Sequence, residues 1–448
     1  MKGYAKYVEV ESRWAKYIPE SWTFSNIAEV FIERKENNNP IKTMDILSLT
    51  NTRGVIPYKE KGNIGNKAKE DLTGYRLAYP GDIVFNSMNA VIGSVGLSKY
   101  FGAVSPVYYM LYLRDTAKNN IRFFDYVFQD RVFQSGLNGL GNGILEIRMR
   151  IPMSKLKYVG VPVPPRTEQD QIVRYLDWQV SKINRLIAAK RKQIKLLEAT
   201  TAHYLENTIH KGTRNEQLVE TGNPWINSAP ISWKKVRHKN VLTEKKEVVG
   251  ENHSQYTLLS LTTKGVIIRD TSSGKGKYPS DFSTYQVVNP SNMVFCLFDV
   301  DETPRTVGLS THTGMITGAY TVYETHDALP EYLLYYFLSV DNKKGFKPLY
   351  SGLRKVIGKD VFSRQAIYLP SIEEQKEIVD AIQIRQAKSR NAIDLLEREI
   401  ESLHDLRTRL ISDVVTGQVD VRDIKVPDGE YTYTETLEEE TEEETEEE

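Results

Sequence analysis

From Glu168 to Ile209 the chain runs 42 residues without a glycine or proline, so nothing in it interrupts a helix. Side chains recur there at alternating steps of three and four. The series is Val173, Leu176, Val180, Ile183, Ile187, Lys190, Ile194, Leu197, Thr201, Tyr204 and Thr208. Eight of these eleven are apolar or aromatic, the pattern of a seam along which two helices wrap. Lys190 and Thr201 weaken the seam but fix its register. The pattern returns 206 residues later, at Val379, Ile382, Gln386, Ser389, Ile393, Leu396, Ile400, Leu403, Arg407, Leu410 and Val414. Both stretches open alike, with "PPRTEQDQIV" from Pro164 and "PSIEEQKEIV" from Pro370. A proline, then Glu-Gln, then an apolar run is a helix start. Gly212 and Gly417 supply matching stops. Two long helices with one seam are expected to pair with each other.

The segments before the helices also repeat. Trp14 and Trp22 flank Pro19 as Trp225 and Trp233 flank Pro230. "LSLTNTRGVI" from Leu47 matches "LSLTTKGVII" from Leu259, and "PGDIVF" from Pro80 matches "PSNMVF" from Pro290. "SVGLS" from Ser94 matches "TVGLS" from Thr306, and "SGL" recurs at Ser135 and Ser351. Matches in one order mean one unit written twice. Within each, short runs rich in Val, Ile, Tyr and Leu alternate with Gly, Asn and Pro turns, which predicts strands. Short helices are predicted at "IRFFDYVFQ" from Ile121 and "EYLLYYFL" from Glu331. The expected class is α+β: two similar globules separated by a pair of long antiparallel coiled-coil helices, with an internal pseudo-twofold.

Charge sharpens this picture. The formal net charge is zero, yet residues 428–448 carry twelve acids and no Lys or Arg. Removing these twelve from the 59 acidic residues leaves 47 against 59 basic, a net of +12 over 1–427. The "TEEE" repeat is expected to be disordered, either as a solvating tail or as a mimic of nucleic-acid charge. The basic remainder is compatible with a polyanion. A lone cysteine, Cys296, leaves no internal disulfide framework and fits a reducing compartment. No apolar run reaches the length of a membrane span and no leader pattern opens the chain, so a cytoplasmic protein is expected.

No catalytic constellation emerges. "NGLGNG" at Asn138 has glycine spacing but lacks the strand–turn–helix context of a nucleotide loop. "GLRKVIGKD" from Gly352 is one residue too long for a phosphate loop, with Asp360 where Ser or Thr should hold magnesium. No Asn- or Asp-Pro-Pro-aromatic string of an adenine methyltransferase occurs, and the seven histidines form no zinc pattern. Asp299, Asp301 and Glu302 read as an exposed acidic turn more readily than as a metal site. What remains is binding chemistry on turn-rich segments. Candidate contacts in the first repeat are Arg53, Lys59, Lys61, Asn63, Lys67, Lys69, Arg76, Asn86, Ser87, Asn89, Asn138 and Asn142. In the second they are Lys264, Arg269, Lys275, Lys277, Arg305, Thr306, Arg354 and Lys355. Lys and Arg neutralise phosphates, while Arg, Asn, Gln and Ser also read base edges.

The doubled Glu-Gln helix start, "PGDIVF", "SGL" and the terminal "TGQVDVR" from Thr416 together resemble type I restriction–modification specificity subunits, from Trp14 to about Arg422. "PSNMVF" and the acidic tail depart from that pattern. The resemblance implies target-recognition domains over 1–163 and 225–369, helices over 164–212 and 370–417, a linker over 213–224, and a C-terminal segment over 418–448. It implies that each domain reads one half of a two-part double-stranded DNA sequence and that the helices set the spacer. It further implies partners: two methyltransferase subunits, and a motor–nuclease subunit for cleavage. The cofactor S-adenosylmethionine would sit on the methyltransferases, none being expected in this chain. A specificity subunit fused to a methyltransferase or nuclease, and a coiled-coil scaffold that binds only protein, are the alternatives.

Overall fold

The computed structural model describes residues 2–50, 53–61, 68–141, 150–223, 225–269, 282–350, 355–429 and 431. It divides into two units, Met1–Lys192 with Leu396–Glu448, and Gln193–Leu395. In unit 1 a four-stranded antiparallel sheet takes the order Phe31–Arg34, Tyr108–Leu113, Ile83–Asn86, Val95–Leu97. A hairpin, Leu47–Thr50 with Gly54–Pro57, lies beside it, as does the pair Arg76–Ala78 with Gly102–Val104. The helices are α1 (Ile27–Val30), α2 (Ile121–Gln129), α3 (Arg131–Gly136), α4 (Met153–Leu156) and the first part of α5 (Arg166–Lys211). Asn120 caps α2, its side chain accepting from the Arg122 amide at 2.9 Å. That orients Phe123, Phe124, Val127 and Phe128 into the core, where Phe31 meets Phe124 edge-on at 5.2 Å.

Unit 2 repeats the plan. Its sheet runs Leu242–Glu244, Thr321–Thr325, Met293–Phe295, Val307–Leu309. Its hairpin is Leu259–Thr262 with Gly265–Ile268, and its helices are α6 (Pro330–Asp341), α7 (Lys359–Arg364) and the first part of α8 (Ile372–Val415). The segment 213–224, read as a linker, contains strand Leu218–Glu220, which pairs with Ser228–Pro230. Three residues of mixed polarity at a sheet edge leave no periodic signal. The expected disorder of the acidic tail concerns residues that lie, after Tyr431, outside those described.

The Glu-Gln motif is a staple. Gln169 is fully buried. Its Oε1 accepts from the Asn120 amide at 2.7 Å, and its Nε2 donates to the carbonyls of Pro164 at 2.8 Å and Lys118 at 3.3 Å. Gln375 does the same in unit 2, accepting from the Leu329 amide at 2.8 Å and donating to the Pro370 carbonyl at 3.0 Å. Each long helix is thereby tied to the loop that precedes α2 or α6. Glu168 accepts from the Trp22 indole at 2.9 Å and from the Tyr4 hydroxyl. The stops pack at the same tryptophans. Gly417, with φ of 71°, would place a Cβ 2.4 Å from Pro19 and 3.2 Å from Trp22. Gly212, with φ of 70°, would place one 2.5 Å from Glu374 and 3.3 Å from Trp233. Only glycine takes that conformation and that closeness together.

Within unit 1, α5 and α8 pair antiparallel. Lys190 donates to Glu399 at 2.6 Å and Arg407 to Asn184 at 2.8 Å, so numbers rise along one helix as they fall along the other. Val173, Leu176, Val180, Ile183 and Ile187 share a core with Leu410, and Ile400 and Leu403 pack against it half-buried. Within unit 2, Val379 and Ile382 are buried and Arg385 lies over the Tyr204 ring at 5.7 Å. Ile194, Leu197 and Ile393 in unit 2, and Leu396 in unit 1, are half-buried.

Two outcomes follow. Gln169→Leu removes three hydrogen bonds, one of them buried and two part-buried, and strands an amide, so urea unfolding is expected to lose ~2–3 kcal/mol. His238 stands where unit 1 has Ile27, stacked on Trp225 at 5.8 Å with Phe337 and Phe362 against its edge. Burial pushes its pKa from 6.5 down to about 3. The unfolded chain then binds the proton and the folded one does not, so stability falls as pH drops from 6.5 toward 3. His238→Ile should flatten that fall in urea melts at pH 7 and pH 5.

Candidate nucleic-acid interface

The matched glycine motifs seat each hairpin. A Cβ on Gly96 of "SVGLS" would stand 3.0 Å from the Gly54 Cα at the hairpin turn. On Gly308 of "TVGLS" it would stand 2.6 Å from Leu261 and 3.0 Å from Val266 of the other hairpin. On Gly102 and Gly314 it would meet Leu47 and Leu259 at 2.6 and 2.8 Å. These glycines let the hairpin lie flat on the sheet, and the hairpin carries the candidate contacts outward.

Around the unit 1 hairpin, Arg53 pairs with Glu60 at 3.0 Å and Lys61 lies 5.3 Å from the Tyr58 ring centroid. Lys59 and Lys69 are exposed. Lys264 is exposed at the turn of the unit 2 hairpin, and Arg269 is half-buried at its end, its amide donating to the Leu258 carbonyl at 2.9 Å. Asn138 is exposed, its carbonyl accepting from Arg13 at 3.1 Å, and Asn89 is half-buried beside the turn at Ala90–Ile92. Asn63, Lys67, Asn142, Lys275, Lys277 and Arg354 lie outside the described residues.

Several candidates hold the scaffold instead of facing outward. Ser87 is fully buried and donates to the Val107 carbonyl at 2.8 Å. Asn86 is buried and joins Ser94 at 3.3 Å while accepting from the Met88 amide at 3.0 Å. Arg76 pairs with Glu33 at 3.0 Å. Thr306 is buried and donates to Asp341 at 2.6 Å, and Arg305 reaches Asn342 at 2.9 Å and the same Asp341 at 3.4 Å. Lys355 joins Glu302 at 2.6 Å and Asp301 at 2.9 Å, which holds its amine well above the usual lysine range. The Lys355 bond correspondingly pulls the Asp301 carboxyl down. Among the described residues no group of three or more His, Cys, Asp or Glu is arranged so that it could hold a metal ion.

The residue that composition does not flag is Arg34. It makes a two-pronged pair with buried Asp82 at 2.8 and 3.0 Å, with Tyr79 and Tyr112 stacked at 4.5 and 4.6 Å. Asp82 belongs to "PGDIVF", and a buried carboxylate in a turn implies a cationic partner somewhere in the chain. In unit 2 Asn292 replaces it and accepts from the Asn289 amide at 2.9 Å. Ser291 takes the left-handed φ of 67° that Gly81 takes at 89°.

Two units on one plan, each presenting a hairpin with polar turns, are the architecture of a bipartite recognition protein. The type I restriction modification DNA specificity domain matches residues 19–196 and 316–402, and the chain belongs to that family. It is 23% identical over 447 residues to the putative type I restriction enzyme MjaX specificity subunit of Methanocaldococcus jannaschii, covering 90% of this chain and 95% of that one. A chain solved in work on complex assembly and conformational transition of the type I R-M system superposes with a TM-score of 0.63 at 14% identity. That superposition covers 90% of this chain and 99% of the other. Among the described residues no helix is long and apolar enough to cross a membrane.

The exposed and the buried candidates have opposite expected phenotypes. Lys264→Gln should lower the slope of log affinity for duplex DNA against log salt by about one and leave the urea midpoint unchanged. Thr306→Val should leave that slope alone and lose ~1–3 kcal/mol of stability, because buried Asp341 loses a donor.

Proposed function

We propose that this chain is the DNA sequence-specificity subunit of a type I restriction–modification complex, each unit reading one half of a two-part target. The observation that carries the reading is the duplicated scaffold: one sheet order, one glycine-seated hairpin and one Gln staple in each unit, with hairpin turns that differ in sequence. α5 and α8, each contributing to both units, set the spacer. The exposed cations Lys59, Lys69 and Lys264 neutralise phosphate, and the polar hairpin turns approach base edges.

The chain supplies the address, and the chemistry resides elsewhere. Two methyltransferase subunits, docked on the long helices and carrying S-adenosylmethionine, methylate adenine, and a motor–nuclease subunit joins for cleavage. The absence of a methyltransferase string supports this division. In a host genome sequenced for modified bases, a gapped two-part motif should carry methyladenine with the gene intact and lose it on deletion. Persistence of every motif after deletion would sink the reading.

The spacer role has its own test. Inserting one heptad into both α5 and α8 adds ~10 Å of helix, equivalent to about three base pairs of straight DNA. A complex that still methylates should then prefer a longer gap. An unchanged gap would show that the helices are not the ruler.

A further inference from the structure

The chain does not leave unit 1 when α8 ends. The Asp420 amide donates to the Lys2 carbonyl at 2.9 Å, and Val421 is fully buried. Gln171 on α5 grips the carbonyls of Val421 and Ile424 at 2.9 and 2.7 Å. Pro427 and Tyr431 then form an open groove with Trp178, Lys182, Arg185 and Leu186 of α5. The Tyr431 hydroxyl donates to the Pro427 carbonyl at 3.0 Å and fixes the turn there. As residue numbers rise from 421 to 431, the contacts on α5 climb from Gln171 to Leu186. The C-terminal segment is a strap running along one helix face in a fixed direction.

That face is basic with apolar patches. Trp178, Lys182, Arg185 and Lys192 are spaced by four, three and seven residues and so share one side of α5. Lys182 lies 4.8 Å from the Trp178 ring centroid. Lys182, Arg185 and Lys192 are exposed, and Leu186 is 51% exposed. The next residues of the strap, 432–448, hold ten Glu and no Lys or Arg. The first of these acids, Glu435, is four residues past Tyr431. Extended chain covers ~13 Å over that step, enough to span the ~9 Å of α5 from Leu186 at the groove to Lys192.

We propose that residues 432–448 continue the strap over the outer face of α5, seating their glutamates on Lys182, Arg185 and Lys192. Charge complementarity, the direction of travel and the reach of the segment all select this occupant. The tail thereby shields these cations from other polyanions, nucleic acid included, and covers Leu186 and Trp178 until a competing partner displaces it. The contact is intramolecular and stands whether or not the specificity reading holds.

Zero-length carbodiimide coupling of the full chain, read by mass spectrometry, tests it directly. Tail glutamates should couple to Lys182 and Lys192 within one chain at low salt, with yields falling steeply at high salt. Arg185→Glu, which leaves both lysines in place, should cut coupling to Lys182 several-fold. Truncation after Tyr431 should increase iodide quenching of tryptophan fluorescence, and Trp178→Phe should abolish that increase. Coupling spread equally over Lys59, Lys69 and Lys264, coupling only between chains, or no coupling would each overturn the proposal. So would quenching indifferent to truncation.

Discussion

The architecture depends on how the first turn of each long helix is buried. A helix N-terminus carries amide groups without internal partners, and enclosing it in a core is costly unless its surroundings are satisfied. Gln169 and Gln375 satisfy the polar chain packed around that first turn with one side chain apiece. The amide oxygen takes up a loop amide, and the amide nitrogen takes up the proline carbonyl that begins the helix. The glutamate before Gln169 meets the Trp22 indole, and Gly417 closes on the same ring. Trp233 plays that part in unit 2 for Gly212. Each unit therefore holds the start of one long helix and the end of the other. Antiparallel pairing of α5 and α8 is the consequence of that enclosure as much as of the heptad seam.

What the two units share is therefore packing, and what they do not share is surface. Tyr126 donates to Asp177 at 2.7 Å, and its counterpart Tyr335 donates to Gln386 at 3.0 Å. A tyrosine on the short helix holds a polar group on the long one in both cases, although the acceptor differs. The turn before Ile83–Asn86 and Met293–Phe295 keeps its left-handed residue while Asp82 becomes Asn292 and its arginine partner is lost. Constant scaffolding beneath changing hairpin turns is the arrangement in which two units can bind different sequences with one geometry.

The long helices and the duplication were legible because both are periodic, and periodicity survives substitution. Eight apolar positions in eleven define a seam even with Lys190 and Arg407 on it. The contacting side chains were less legible for a physical reason. A serine, asparagine or threonine in a turn has the same composition signature whether it caps a buried carbonyl or faces water. Ser87 caps the Val107 carbonyl, Asn86 joins the Ser94 hydroxyl and Thr306 donates to the Asp341 carboxylate. A cation's acidic partner is likewise hidden when it is distant in sequence, and Lys355 braces a loop through Asp301 and Glu302, 54 and 53 residues away. Gln169 carried a signal that spacing could report, a helix-start Gln present in both repeats, but its meaning needed the loop it reaches, 49 residues away.

The polar positions on the seam bear on the role of the helices. Apolar contacts alone tolerate a heptad slip, because each leucine or isoleucine would meet another. Lys190 with Glu399 and Arg407 with Asn184 do not tolerate it, since a slip would break both pairs in unit 1. In unit 2, Arg385 over Tyr204 imposes the same condition. These pairs add little net stability, one partner in most of them being partly open to water. Their effect is to select one register among several of similar hydrophobic energy. An element that fixes a spacer requires a single register more than it requires a stronger seam, and the polar residues that interrupt the apolar pattern supply that constraint.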